Sequence, residues 1–176
     1  MIKNLALALG TAASLTLLGA TPAHAKGSPT AGHGSVGGLA GYGFKNETRY
    51  GLGVVGGYTL PMNLYLGGTF VYHLGVSAGD ARLSMYYFGF EGGYDIAAGP
   101  LVIRPYLGLG PVMQHYSRET LEQLPAVTET ETWFGFWPGA KVLYPISFAF
   151  VGVDARYVIL KDYNFLGLFA TGGVQF

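Results

Sequence analysis

The chain has 176 residues, half of them hydrophobic and only 11% charged, and its 10 basic and 10 acidic side chains cancel to zero net charge. Neutrality excludes the basic surface that nucleic-acid binding requires, and the absence of cysteine means the fold is held without disulfides.

The first 25 residues read as a secretory signal. Lys3 gives a basic start, Leu5 to Leu18 an apolar stretch, and Ala23-His24-Ala25 the small-x-small pattern that precedes a cut. No later apolar run reaches the roughly 20 residues that a spanning helix needs. Residues 26–33 read as a flexible leader, which leaves 34–176 for one folded domain. Eight alternating segments follow, at 34–44, 49–60, 63–75, 83–96, 101–116, 132–144, 147–160 and 164–176. Pro61-Met62, Ala97 to Pro100 and Pro145-Ile146 make tight turns on one side. On the other side lie Lys45 to Thr48, Val76 to Arg82, Ser117 to Glu131 and Lys161 to Tyr163, the middle two being long.

A period of two gives each segment two faces. One face collects Tyr50, Leu52, Val54 and Tyr58, then Leu66, Phe70 and Tyr72, then Phe88, Phe90 and Tyr94. It continues through Ile103, Leu107, Leu109, Phe134, Phe136, Val142, Val151 and Val153 to Leu166 and Leu168. The opposite parity holds Glu91, Asp95, Arg104, Lys141, Asp154 and Arg156. A water-soluble barrel would place its charges outside and its apolar residues inside, so this pattern points to lipid on the outside. Short turns opposite longer loops and an even strand count agree. The expected fold is all-β: an eight-stranded antiparallel up-and-down transmembrane β-barrel with a filled polar interior.

Tyrosine and phenylalanine at both segment ends fit interface belts. Inward glycines make room for Tyr87, Tyr106, Trp133 and Trp137. Pro105, Pro111 and Pro138 each delete a ladder donor, and Gly110-Pro111 and Pro138-Gly139 are expected to be bulges. Glu91, Asp95, Arg104 and Lys141 are expected to form an ionic cluster in the periplasmic half, with Asp154 and Arg156 higher. Paired charges of this kind plug a narrow lumen, because unpaired ones are costly there. A gated ion path is the other reading.

Gly51 to Gly56 spells the G-x-G-x-x-G of dinucleotide sites but opens no helix, so its context is missing. Asn46-Glu47-Thr48 spells a glycosylation sequon, which is uninformative for a bacterial-style export product. No His, Asp and Glu spacing suggests a metal site, and no cofactor is expected. His115 and Ser117 project to the same face of a strand, where an imidazole can serve a hydroxyl as base, and Glu129 or Glu131 lies across the third loop. This fragment resembles the His-x-Ser motif of the outer-membrane lipid A deacylases. That resemblance implies His115 as base, Ser117 as nucleophile and Glu129 as orienting acid.

From the signal to Gly172-Gly173-Val174-Gln175-Phe176, the chain resembles the small outer-membrane β-barrel proteins of the OmpA/OmpX type. The resemblance implies an outer-membrane location and recognition of the last strand, ending in Phe176, by the barrel-insertion machinery. It also implies contact with lipid and lipopolysaccharide, and a structural or surface-interaction role rather than catalysis. The favoured reading is therefore a non-enzymatic barrel that is not an open pore, with loop 117–131 as the place for a surface ligand. The alternative is a lipid A-modifying hydrolase.

Overall fold

The computed structural model describes residues 28–45, 48–78, 81–118, 127–161 and 163–176. The signal read at 1–25, Asn46 and Glu47 of the sequon, and Glu119 and Glu122 of the third loop lie outside the described residues.

The described chain is all strand and turn: β1 (His33–Gly43), β2 (Tyr50–Thr59), β3 (Leu64–Ala78), β4 (Ala81–Tyr94), β5 (Ile96–Ala98), β6 (Leu101–Arg118), β7 (Val127–Ile146), β8 (Ala149–Ile159) and β9 (Asn164–Gln175). β4 and β5 form one stave interrupted at Asp95, and both pair with β6. Apart from β4 and β5, each strand pairs antiparallel with its sequence neighbour, β1 pairs with β9, and β4 against β6 completes the ring. Eight staves are closed, with no edge left in the barrel wall. Closure is what lets strands cross lipid, since every backbone group then finds a partner.

The tight turns sit together at one end, which we call periplasmic. Each contains a residue with positive φ: Asn63 at 68°, Gly99 at 64° and Ser147 at 56°. Such residues let a short connection follow the twist of the strands it joins.

Three features depart from the sequence reading. The prolines make no bulges. Pro105, Pro111 and Pro138 all pair in unbroken register along β6 and β7, opposite Ala140, Phe134 and Leu107. Beyond those strands the pairing lapses locally, between Tyr87 and Phe90 on β4 and between Phe136 and Gly139 on β7, then resumes in the same register. A missing N–H has cost a hydrogen bond without adding a residue. The bulge lies instead between His73 and Val76 of β3, where Gly75 has φ 72°.

The described parts of the two long loops are also strand. β3 pairs with β4 up to Ala78 and Ala81, and β6 with β7 up to Arg118 and Val127. The ladder outlasts the apolar alternation because above the membrane both faces of a hairpin meet water. β3, β4, β6 and β7 therefore rise above the other staves as a protruding sheet.

Of the leader read at 26–33, residues 28–32 form a turn at the periplasmic mouth. Ser28 and Thr30 are buried there, and His33 already belongs to β1.

The faces sort as the alternation requires. Leu52, Val54, Leu66, Phe70, Phe88, Phe90, Leu107, Phe136, Val142, Val151, Val153 and Leu168 are all exposed around the outside. Inside, Val71, Tyr87, Val112, Trp137, Val158 and Phe169 are fully buried. Inward glycines set the spacing. A Cβ on Gly108 would collide with the Trp137 ring, and one on Gly139 would lie 2.6 Å from the Tyr106 hydroxyl. On the outer face Gly92 is under no such constraint, and a Cβ there would meet nothing within 4 Å.

Candidate functional site

All six interior charges are buried, and the strands that carry them sort them into two groups. At the periplasmic mouth Arg104 Nε donates to Asp95 Oδ1 at 2.5 Å and Arg104 Nη2 to Asp95 Oδ2 at 2.8 Å. Asp95 also accepts from the Thr30 hydroxyl and, at 3.4 Å, from Thr59. The Tyr65 ring lies 3.8 Å from the Arg104 guanidinium. Here the stave breaks between β4 and β5, and the Asp95 amide is turned to the Asn63 carbonyl at 2.8 Å. The Asn63 side chain accepts from the Ser28 amide at 3.1 Å. The turn at 28–32 packs over the mouth, beside a cavity of about 20 Å³ that Thr30, Thr59, Arg104, Lys141, Phe150 and Gln175 line, which is room for a single water.

One layer further in, Lys141 Nζ lies 2.5 Å from Glu91 Oε2 and 3.9 Å from Asp154 Oδ2. Arg156 bonds Asp154 and lies 3.6 Å from Glu91 Oε1. The Tyr106 hydroxyl donates to Asp154 at 2.6 Å, and Trp137 Nε1 to Glu91 at 3.4 Å. Two acids and two bases form one network in this layer, and each charge has partners of opposite sign. Low dielectric makes such pairing necessary, since a lone buried charge costs several kcal/mol.

The expected grouping is therefore corrected. Glu91 and Lys141 do not join Asp95 and Arg104, and Asp154 and Arg156 are not a separate higher pair. Lys141 stands in register between Arg104 on β6 and Asp154 on β8, and its ammonium turns away from the like charge of Arg104 to Glu91 and Asp154. Above it the lumen is aromatic. Tyr87 packs on Trp137 at 5.1 Å, and buried His73 sits among Tyr87, Phe165 and Phe169. The hydroxyls of Ser28, Thr30 and Thr59 complete the mouth. No periodicity marks Ser28 and Thr30, because they precede the first strand.

His115, Ser117 and Glu129 lie on the protruding sheet. His115 and Ser117 share the parity that faces lipid lower down β6, and they line one concavity with Tyr72 and Ser84. Glu129 stands opposite Tyr116, in the other parity, and lines a different concavity with Leu83, Gln114, Tyr116 and Glu131. The two faces of the sheet separate the acid from the imidazole. His115 Nδ1 engages the Thr130 hydroxyl at 3.0 Å instead. The described residues include no cluster of three His, Asp or Glu side chains able to hold a metal.

A closed barrel with an apolar outer belt and an ion-paired interior is an integral membrane β-barrel of the outer-membrane type. Solved structures show the same fold. The chain superposes on a major outer membrane protein from Thermus thermophilus with a TM-score of 0.61 and 14% identity, over 82% of this chain and 99% of that one. Ail, the attachment invasion locus protein of Yersinia pestis, gives 0.56 at 15% identity, over 82% and 99%. The N-terminal β-barrel domain of Pseudomonas aeruginosa OprF gives 0.55 at 13% identity, over 86% and 100%. At such identities the likeness is one of fold. No protein-family model matches the sequence, and no curated protein matches it.

Proposed function

We propose that this chain is a non-enzymatic integral protein of the outer membrane, a closed barrel whose protruding sheet and loop 117–131 make contacts at the cell surface. The observation that carries this reading is the contrast between the two sides of the wall. Its outer side is apolar around the ring, and its inner side is packed with paired charges and aromatic rings. Eight staves leave a lumen that side chains fill, and the mouth is capped by residues 28–32. A structural or surface-binding role fits a plugged barrel better than transport.

Assembly would proceed through export on the signal at 1–25 and recognition of the strand ending in Phe176 by the insertion machinery. Lipid and lipopolysaccharide would surround the finished barrel. The hydrolase alternative has less support, because Glu129 and His115 occupy opposite faces of the hairpin.

Two measurements test this reading. Purified protein in planar bilayers should show no steady ohmic current, and a stable open-channel conductance would refute the closed barrel. Lipid A from cells producing the wild type, Ser117→Ala or empty vector should give identical mass spectra. Loss of an acyl chain with the wild type alone would establish the hydrolase.

A further inference from the structure

The lipid-facing side of the protruding sheet carries a polar patch at the height where the apolar belt ends. Tyr86 pairs with Met113; one row further out Ser84 stands beside His115, which stands beside Thr130. These three side chains thus lie in a line across β4, β6 and β7, in the parity that faces lipid below. Tyr72, Ser84, His115 and Ser117 surround a concavity of about 270 Å³. Ser84 is only 8% exposed, so it forms the floor. The Thr130 hydroxyl engages His115 Nδ1 at 3.0 Å and holds the ring, while among the described residues Nε2 has no partner. On the other flank of the barrel the outward parity carries the exposed Tyr42, Tyr50, Tyr157 and Leu166 and turns polar at Asn164, the first residue of β9. The row of Ser84, His115 and Thr130 is a broader polar patch than that single residue.

We propose that this concavity binds the head group of an outer-leaflet glycolipid, with the acyl chains lying on the exposed Phe88 and Phe134 beneath it. The inference rests on the reading of the chain as a membrane barrel. Its occupant follows from position and chemistry together. A polar hollow continuous with an apolar surface takes an amphiphile. Three hydroxyls and one imidazole, with no carboxylate lining the hollow, suit a hydroxyl-rich or phosphorylated sugar. His115 and Ser117 act here as donors to a bound lipid, a role that needs no third residue.

The test is native mass spectrometry of the full-length chain in detergent micelles, with lipid A and phosphatidylethanolamine added at equal concentration. The wild type should retain lipid A about tenfold more than phosphatidylethanolamine, the effect of one or two extra hydrogen bonds. Ser84→Val with His115→Leu should bring the two lipids level, and Thr130→Val, which only releases the ring, should weaken the preference part of the way. Circular dichroism and insertion into vesicles, measured on each variant, separate this result from failure to fold. Equal retention of the two lipids by the wild type, or a preference that survives in the double variant, would overturn the proposal. Failure of the wild type to insert would instead overturn the barrel reading beneath it.

Discussion

Replacing Lys141 with methionine removes one charge from the inner network while keeping a flexible side chain of similar length. Glu91 loses its 2.5 Å partner, and Arg156 alone must then answer both Glu91 and Asp154. Lys141 and Glu91 are at most 3% exposed, so water cannot take over without entering the packed lumen. Breaking a buried pair from one side costs about 3–5 kcal/mol, most of it the stranded charge. Removing both partners, as in Glu91→Gln with Lys141→Met, leaves Asp154 and Arg156 balanced and should cost distinctly less than Lys141→Met alone. Reversible urea unfolding in lipid vesicles measures both. The fluorescence of Trp133 and Trp137 reports the transition, and Trp137 donates to Glu91 within the network itself. A single variant within about 1 kcal/mol of the wild type would refute the reasoning, since that is the range of a solvated surface pair. So would a double variant no better than the single one, because the penalty would then not be that of a stranded charge.

Glycine tolerance should follow the face. Gly108→Ala drives a methyl into the Trp137 ring and should cost about 1–3 kcal/mol, whereas Gly92→Ala, with nothing within 4 Å, should unfold at or above the wild-type urea midpoint. Phe90 is 79% exposed, midway between the aromatic ends of β4, so Phe90→Arg should cost about 2–4 kcal/mol in vesicles. An unchanged midpoint would mean that this position does not face the bilayer centre. Thr30→Val removes a hydroxyl that donates to Asp95 and should lower stability by about 1–3 kcal/mol. Asn63→Ala should lose more than this, because it releases the Ser28 amide at the other end of the turn and also leaves an alanine at φ 68°.

The two faces of the wall were legible in the sequence because strand geometry is strict. With a period of two, Glu91 and Asp95, or Asp154 and Arg156, must point the same way, and one choice of parity per strand places every charge. The turn at Ala97 to Pro100 was legible for the same local reason and holds Gly99 at positive φ, whereas the turn expected at Pro145-Ile146 falls later, at Ser147 and Phe148, because Pro145 and Ile146 still pair with Phe150 and Ala149. The ends of the staves were not. Once a hairpin leaves the membrane, Ser117, Thr128 and Thr130 show no apolar alternation, yet the ladder between β6 and β7 continues beside them. Backbone pairing there is fixed by the neighbouring strand and leaves no mark on the residue pattern.

Partner choice among the charges depended on how the strands assemble. Parity says which side chains enter the lumen, but not their depth, because adjacent tilted strands are offset along the barrel. Only the register between β7 and β8 sets Lys141 beside Asp154, and only the break at Asp95 turns that carboxylate to Arg104 and Thr30. Glu129 shows the limit most directly. In sequence it is a carboxylate across a loop from His115, but the hairpin register puts it opposite Tyr116 and on the other face. Local alternation was enough to specify a lipid-facing barrel with a charged interior, because side-chain direction along a strand needs no partner to define it. Which charges meet, and whether His115 has a carboxylate, came from the registers that closure imposes between strands.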